Sequence, residues 1–296
     1  MSETQTATIT ATNEKVANLL KNAVLVSVKL ARYGLTRRVK EDILRTDAEK
    51  SRIKVSKRLL DDPSIDAISK IDTEIRQYVY GMTVPSFSDE GIYFLHSDLI
   101  EEMETQLRAY SARREELVAA AAANLPAIIA QAVSDLGELS NADEFPSSQE
   151  FIDAHAMTWR YLSFSVPDVL KEKGLYEAEG EKAAGAYADA LSSITAHNRA
   201  AFREHLARMA ERLDGTRENG KPKIFRDSMV LNFRDFLAKF PCRNLSGDNS
   251  LASLVAEADD LLTDVSAEEL RTDEGLRENT RAGMEDIMAR LDALPL

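Results

Sequence analysis

Ser97–Leu136 reads SDLIEEMETQLRAYSARREELVAAAAANLPAIIAQAVSDL. Leu99, Met103, Leu107, Tyr110, Leu117, Ala121, Ile128, Ala132 and Leu136 recur along it close to helical spacing, which makes one face apolar and predicts a single long helix. Ser97 stands where its hydroxyl can cap the first turn. Pro126 lacks an amide hydrogen and crowds the preceding turn, so a kink or break is expected there. A second such stretch, Tyr176–Leu213, places Tyr187, Leu191, Ile194, Ala201, Met209 and Leu213 at compatible spacing. With about forty residues each, the two would form an antiparallel hairpin roughly 60 Å long.

On the N-terminal side, Val24, Val26 and Val28 alternate within Asn22–Arg32 and predict a strand. Thr36–Arg45 and Ala48–Leu60 read as charged helices. Asp62-Pro63 opens a helix, with Asp as cap and Pro in the first turn, and Ile65, Ile68, Ile71, Ile75 and Val79 line one face of it. After a loop at Gly81–Glu90, Gly91–Leu95 is a second strand, so a small sheet is expected. On the C-terminal side three amphipathic helices are expected: Ile224–Phe240, Ser250–Asp264 and Ala267–Leu294, the last behind a Ser266/Glu269 capping box. The fold class is therefore mainly α with a small β element and a long helical hairpin on a compact body. The expected organisation is a tail (1–13), a basic α/β portion (14–96), the hairpin (97–214) with an irregular tip (139–175), and an acidic helical portion (215–296).

The net charge of -13 is unevenly spread. Lys15–Arg58 holds 13 Lys/Arg against 4 Asp/Glu, whereas Asn244–Leu296 holds 13 acidic against 4 basic side chains. Cys242 is the only cysteine, which rules out an intrachain disulfide or a CxxC motif and suits a reducing compartment. Met1–Asn13 has neither the basic start nor the apolar run of a signal peptide. Val24–Leu30 and Val118–Ala123 fall far short of the roughly 20 residues a membrane span needs. A soluble, cytoplasmic protein with no membrane contact is expected.

Catalytic signatures are weak throughout. Gly215–Lys221 has the GxxxxGK spacing of a phosphate loop, but Pro222 stands where Ser or Thr would hold Mg²⁺, and a helical pattern precedes it instead of a strand. His197 and His205 lie eight residues apart, not the i, i+4 of a helical zinc pair, and read as seam positions; His96 and His155 show no partner. Cys242, beside Arg243, reads as an inert thiol. No catalytic, cofactor or metal residues are assigned, and no enzyme activity is expected.

Two groups stand out as binding candidates. Trp159, Arg160, Tyr161 and Phe164 form the densest aromatic group and would anchor a protein partner from the hairpin tip. Arg32, Arg37, Arg38, Lys40, Arg52, Lys54, Lys57 and Arg58 would meet either nucleic-acid phosphates or an acidic partner, the chain's own tail or a second subunit included.

The stretches VSKRLLDDPSIDAISKIDTEIRQYV (55–79), GIYFLHSDLIEEMETQL (91–107), FRDSMVLNFRDFLAKFPCRNLSGDNSLASL (225–254) and EELRTDEGLRENT (268–280) are together similar to an uncharacterised family of bacteriophage and prophage proteins, a domain of unknown function. The resemblance spans most of the chain. Genes of that family often neighbour a MoxR-type AAA+ ATPase and a von Willebrand A-domain protein, so it implies a helical partner in an ATPase-centred phage system. The expected function is a non-enzymatic interaction or scaffold protein that binds a protein partner or forms a homo-oligomer. A DNA-metabolism accessory protein and a virion component are the alternatives.

Overall fold

The structure, a computed structural model, describes residues 14–39, 49, 52–87, 91–163, 176–214 and 227–295. The fold is mainly helical with small antiparallel sheets. Residues 14–22 form α1, followed by β1 (Ala23–Leu30), β2 (Thr36–Val39), β3 (Val55–Arg58), α2 (Pro63–Met82), β4 (Val84–Pro85) and β5 (Tyr93–His96). A 3₁₀ turn at Ser97–Leu99 leads into α3 (Ile100–Leu136), then α4 (Ser148–Ala154) and β6 (Met157–Leu162). The C-terminal helices are α5 (Tyr176–Leu213), α6 (Asp227–Arg243), α7 (Asn249–Leu262), α8 (Ala267–Thr272) and α9 (Glu274–Asp292). The chain divides into two compact units: residues 1–27, 80–100 and 161–296 make the first, and residues 28–79 and 101–160 the second.

In the first unit β4, β5 and the start of β1 pair antiparallel, with Val24 opposite Leu95, Leu25 opposite Phe94, and Phe94 opposite Val84. The apolar side of this sheet closes on Leu19 of α1 and on Ala190, Leu191 and Ile194 of α5. A larger core lies between α5, α6, α7 and α9, filled by Phe202, Leu206, Met209, Phe233, Phe236, Phe240, Leu254, Met284 and Ile287. Gly283 lets α9 approach α7, since a Cβ there would stand 2.6 Å from Leu261 Cδ1. Asp248 caps α7 by accepting the Leu251 N–H at 3.1 Å, and Ser266 with Glu269 forms the capping box of α8.

In the second unit β2 and β3 form a two-stranded ladder, with Arg37 opposite Lys57 and Arg38 opposite Ser56. The rest of β1 has β6 as its neighbour. α2 begins at its Asp62 cap, whose Oδ1 accepts from the Ser64 N–H at 2.8 Å and the Ser64 hydroxyl at 2.6 Å. Its buried Ile65 and Ile68 meet Val118, Ala121, Ala122, Leu125 and Ile128 of α3 and Phe151 of α4. A buried charge cluster accompanies this core. Asp72 of α2, fully buried, accepts from Arg114 Nε at 2.6 Å and Arg32 Nε at 2.5 Å. Arg114 also donates to the carbonyls of Ala31 and His155, joining β1 and α4 to α2. Removing Asp72 leaves the buried Arg114 guanidinium without its counter-charge, which costs about 3–5 kcal/mol.

Several sequence expectations are corrected here. Thr36–Val39 and Val55–Arg58 are strands, not parts of helices: Arg37, Val39, Val55 and Lys57 turn to the half-buried side of the ladder while Thr36, Arg38, Ser56 and Arg58 face solvent. Residues 40–48 lie outside the described residues. α3 continues through Pro126 without a break, because the carbonyl of Ala122, which Pro126 cannot bond, takes the Ser148 hydroxyl at 2.9 Å instead. The expected last helix divides at Asp273, which ends α8 and whose Oδ1 accepts the Leu276 N–H at 2.9 Å to start α9. Both long helices exist, but the hairpin is not established: α5 packs chiefly on α9 in the first unit, while α3 packs on α2 and α4 in the second. The GxxxxGK spacing at Gly215–Lys221 lies outside the described residues.

Candidate interaction surface

The basic candidates lie in the second unit, and carboxylates or carbonyls of that unit engage most of them. Arg32 is held by Asp72. Arg37 donates to the carbonyls of Gly34 at 2.8 Å and Thr36 at 3.0 Å and lies over the Tyr33 ring, 5.4 Å from its centroid. Lys57 is 9% exposed and bonds the Leu139 carbonyl at 2.5 Å and the Glu144 carboxylate. Arg58 pairs with Asp61 at 3.0 Å and Asp66 at 3.1 Å, and the exposed Arg52 with Glu49 at 3.3 Å. Arg38 and Lys54 are exposed; Lys40 lies outside the described residues. The acidic C-terminal helices have cations of their own: Asp292 binds Arg203 at 2.7 Å, and Glu257 binds Arg290 at 2.5 Å.

Of the aromatic candidates, Trp159 and Tyr161 sit on the strand β6. Trp159, half-buried on β6, donates its indole N–H to Glu104 Oε2 at 2.7 Å. Arg160 is exposed and Tyr161 half-buried, and Phe164 lies outside the described residues.

Sequence reasoning missed the outward side of α3. Leu117–Ser134 carries no charged residue, and Asn124 and Pro126, which divide the run in one dimension, leave the helix continuous. By length and composition the helix Ser97–Leu139 holds a stretch apolar enough to cross a membrane, of which 28% is buried; an amphipathic core helix meets the same criterion. The apolar stretch is therefore longer than the short run Val118–Ala123 suggested. Val118, Ala121, Ala122, Leu125, Ile128 and Ala132 face the core, whereas Ala119, Ala120, Ala123, Ala127, Ala130 and Val133 face outward. Positions 119, 123, 127 and 130 follow the spacing of one helix stripe, so the exposed side is a smooth strip of methyl groups. Val133 is 42% exposed, and Ile152 of α4 and Leu139 are further exposed apolar side chains of this unit.

A cleft of about 700 Å³ in the first unit is lined by Lys15, Ser192, Thr195, Arg199, Ser246 and Asp248, among others. Its two central charges neutralise each other, Arg199 Nε meeting Asp248 Oδ2 at 2.7 Å. Burial alone would raise the Asp248 carboxyl, but the bonds from Arg199 and the Leu251 N–H outweigh it and hold the group below the usual carboxylate range. The histidines of α5 serve packing: His205 stacks on Phe233 at 5.4 Å and 8° and contacts Phe236 at 4.7 Å, and His197 Nε2 lies 3.1 Å from Arg243 Nη2. Comparison with protein-family models, curated proteins and solved structures finds no match.

Proposed function

We propose that the chain is a non-enzymatic interaction protein that associates with a second copy of itself through the outward side of α3. The observation that supports this reading is the absence of charge on an exposed helix face in a protein that carries -13 overall. The solvent side of a globular helix ordinarily carries charged and polar residues. Two acidic copies repel each other over most of their surface, and a charge-free strip is where that repulsion is least. Small side chains at Ala119, Ala123, Ala127 and Ala130 suit close approach of a second helix, and a self-complementary strip suits a two-fold contact. The strip is about 22 Å long, and at a helix width of about 10 Å it offers about 220 Å². A standard interface takes about 800 Å² from each partner, so the association is weak and concentration-dependent, with the exposed Val133 at the C-terminal end of the strip. The resemblance to phage proteins encoded near an AAA+ ATPase supplies a setting in which such a self-associating scaffold would operate.

Sedimentation of the full chain over a concentration series tests this. The wild type should self-associate, and Ala123→Glu with Ala127→Glu should leave a monomer with an unchanged thermal midpoint, because both positions are exposed. A wild type that stays monomeric at every concentration, or a double variant that associates equally well, overturns the proposal. Flotation of the wild type, but not the double variant, with phosphatidylcholine vesicles would assign the strip to a bilayer instead.

A further inference from the structure

In the first unit, His96, Asp98 and Cys242 bring an imidazole nitrogen, a carboxylate oxygen and a thiol sulfur within 4.8 Å of one another. We propose that these three side chains form a binding site for a single zinc-class divalent cation. They come from separate places in the chain: His96 ends β5, Asp98 lies in the 3₁₀ turn behind it, and Cys242 sits in the last turn of α6, which packs against β5. The donor set is one imidazole, one carboxylate and one thiolate, the mixture of nitrogen, oxygen and sulfur ligands that zinc accepts and that magnesium and calcium do not.

The spacing of the imidazole and the carboxylate suits a tetrahedral ion, and the thiol sulfur lies within 4.8 Å of both. His96 Nδ1 and Asp98 Oδ2 are 3.6 Å apart. Two ligands at zinc bond lengths of 2.0–2.2 Å and a tetrahedral angle stand about 3.4 Å apart, so little rearrangement brings both onto one ion. The Asp98 backbone N–H donates to His96 Nδ1 at 3.2 Å, so that nitrogen is unprotonated and its lone pair, now engaged by the N–H, is the one a cation takes over. That bond is long, and a cation replaces it readily. Cys242 lies at the C-terminal end of α6, where the helix dipole favours positive charge. The neighbouring Arg243 directs its guanidinium to the Gly81 carbonyl and to His197. His96 is mostly buried and Asp98 is largely exposed, which leaves a way in for the ion and a fourth position for water.

The site is tested by titrating the full chain, first treated with chelator, with Zn²⁺ and with Co²⁺ as a spectroscopic substitute. The expected result is one equivalent bound, with a thiolate-to-cobalt charge-transfer band in the near ultraviolet and the visible bands of a four-coordinate ion. Cys242→Ser should abolish the charge-transfer band, and Asp98→Asn should weaken Zn²⁺ binding on the order of tenfold or more. Asp98 is exposed, so its variant keeps the test valid if the cysteine variant does not fold. Absence of the charge-transfer band, or cation uptake that Cys242→Ser and Asp98→Asn leave unchanged, overturns the proposal.

Discussion

Asp72 shows how differently a charged residue reads in sequence and in space. In one dimension it is one of several acids on an amphipathic helix; in the structure it is fully buried between Arg32 and Arg114. Arg32 reads in sequence as one of a group of cations for nucleic-acid phosphates or an acidic partner, because charge density along the chain says nothing of a carboxylate forty residues away. Three of the buried or half-buried histidines yield a prediction. Burial lowers the pKa of His155, His197 and His205 below the ordinary 6.5, with repulsion from nearby arginines adding to it. Above pH 6.5 these rings are neutral whether the chain is folded or not, and they cost nothing. As the pH falls through 6.5 the unfolded chain takes up protons first, so stability is lost until the folded pKa values are reached. Thermal midpoints should therefore fall between about pH 7 and 5, before most carboxylates titrate. His205→Phe, whose ring fits the stack on Phe233 and Phe236, should reduce that fall; an identical pH slope in the variant would show that His205 does not contribute.

At the scale of elements, what was legible was what is locally determined. Asp62-Pro63 and Ser266 with Glu269 mark helix starts because a cap is made by residues within one turn. Thr36–Val39 and Val55–Arg58 do not read as strands in sequence because four residues, two of them cationic in each case, show too little of a two-residue period, and only their pairing across the ladder reveals the strands. That Pro126 does not break α3 is hidden from the sequence for a related reason: the group that compensates it, Ser148, is on another helix. A double-mutant cycle tests that compensation. Ser148→Ala should cost about 1–3 kcal/mol in urea denaturation by orphaning the buried Ala122 carbonyl. With Pro126→Ala, a backbone N–H becomes available to that carbonyl and the cost of losing Ser148 should fall to about 0.5 kcal/mol or less. Equal losses in both backgrounds would mean that the hydroxyl does not replace the missing bond.

At the scale of the whole molecule, a charge of -13 coexists with basic residues that are largely engaged by nearby carboxylates and carbonyls, so a charge-matching partner is a weaker explanation for the basic segment than its raw count suggested. The outward side of α3 escaped notice in the sequence because alanine counts equally well as core or surface; only the helix's orientation separates Ala121 from Ala123. The convergence of His96 with Cys242 is likewise a product of tertiary packing, with no spacing to announce it. Self-association through α3 is measured most directly by pulsed electron resonance on a single spin label at Ala130→Cys in a Cys242→Ser background. The account predicts a short intermolecular distance, set by helix axes about 8–10 Å apart plus two label arms, that disappears on dilution with unlabelled protein. A signal with no intermolecular distance at concentrations where the chain is associated would contradict it.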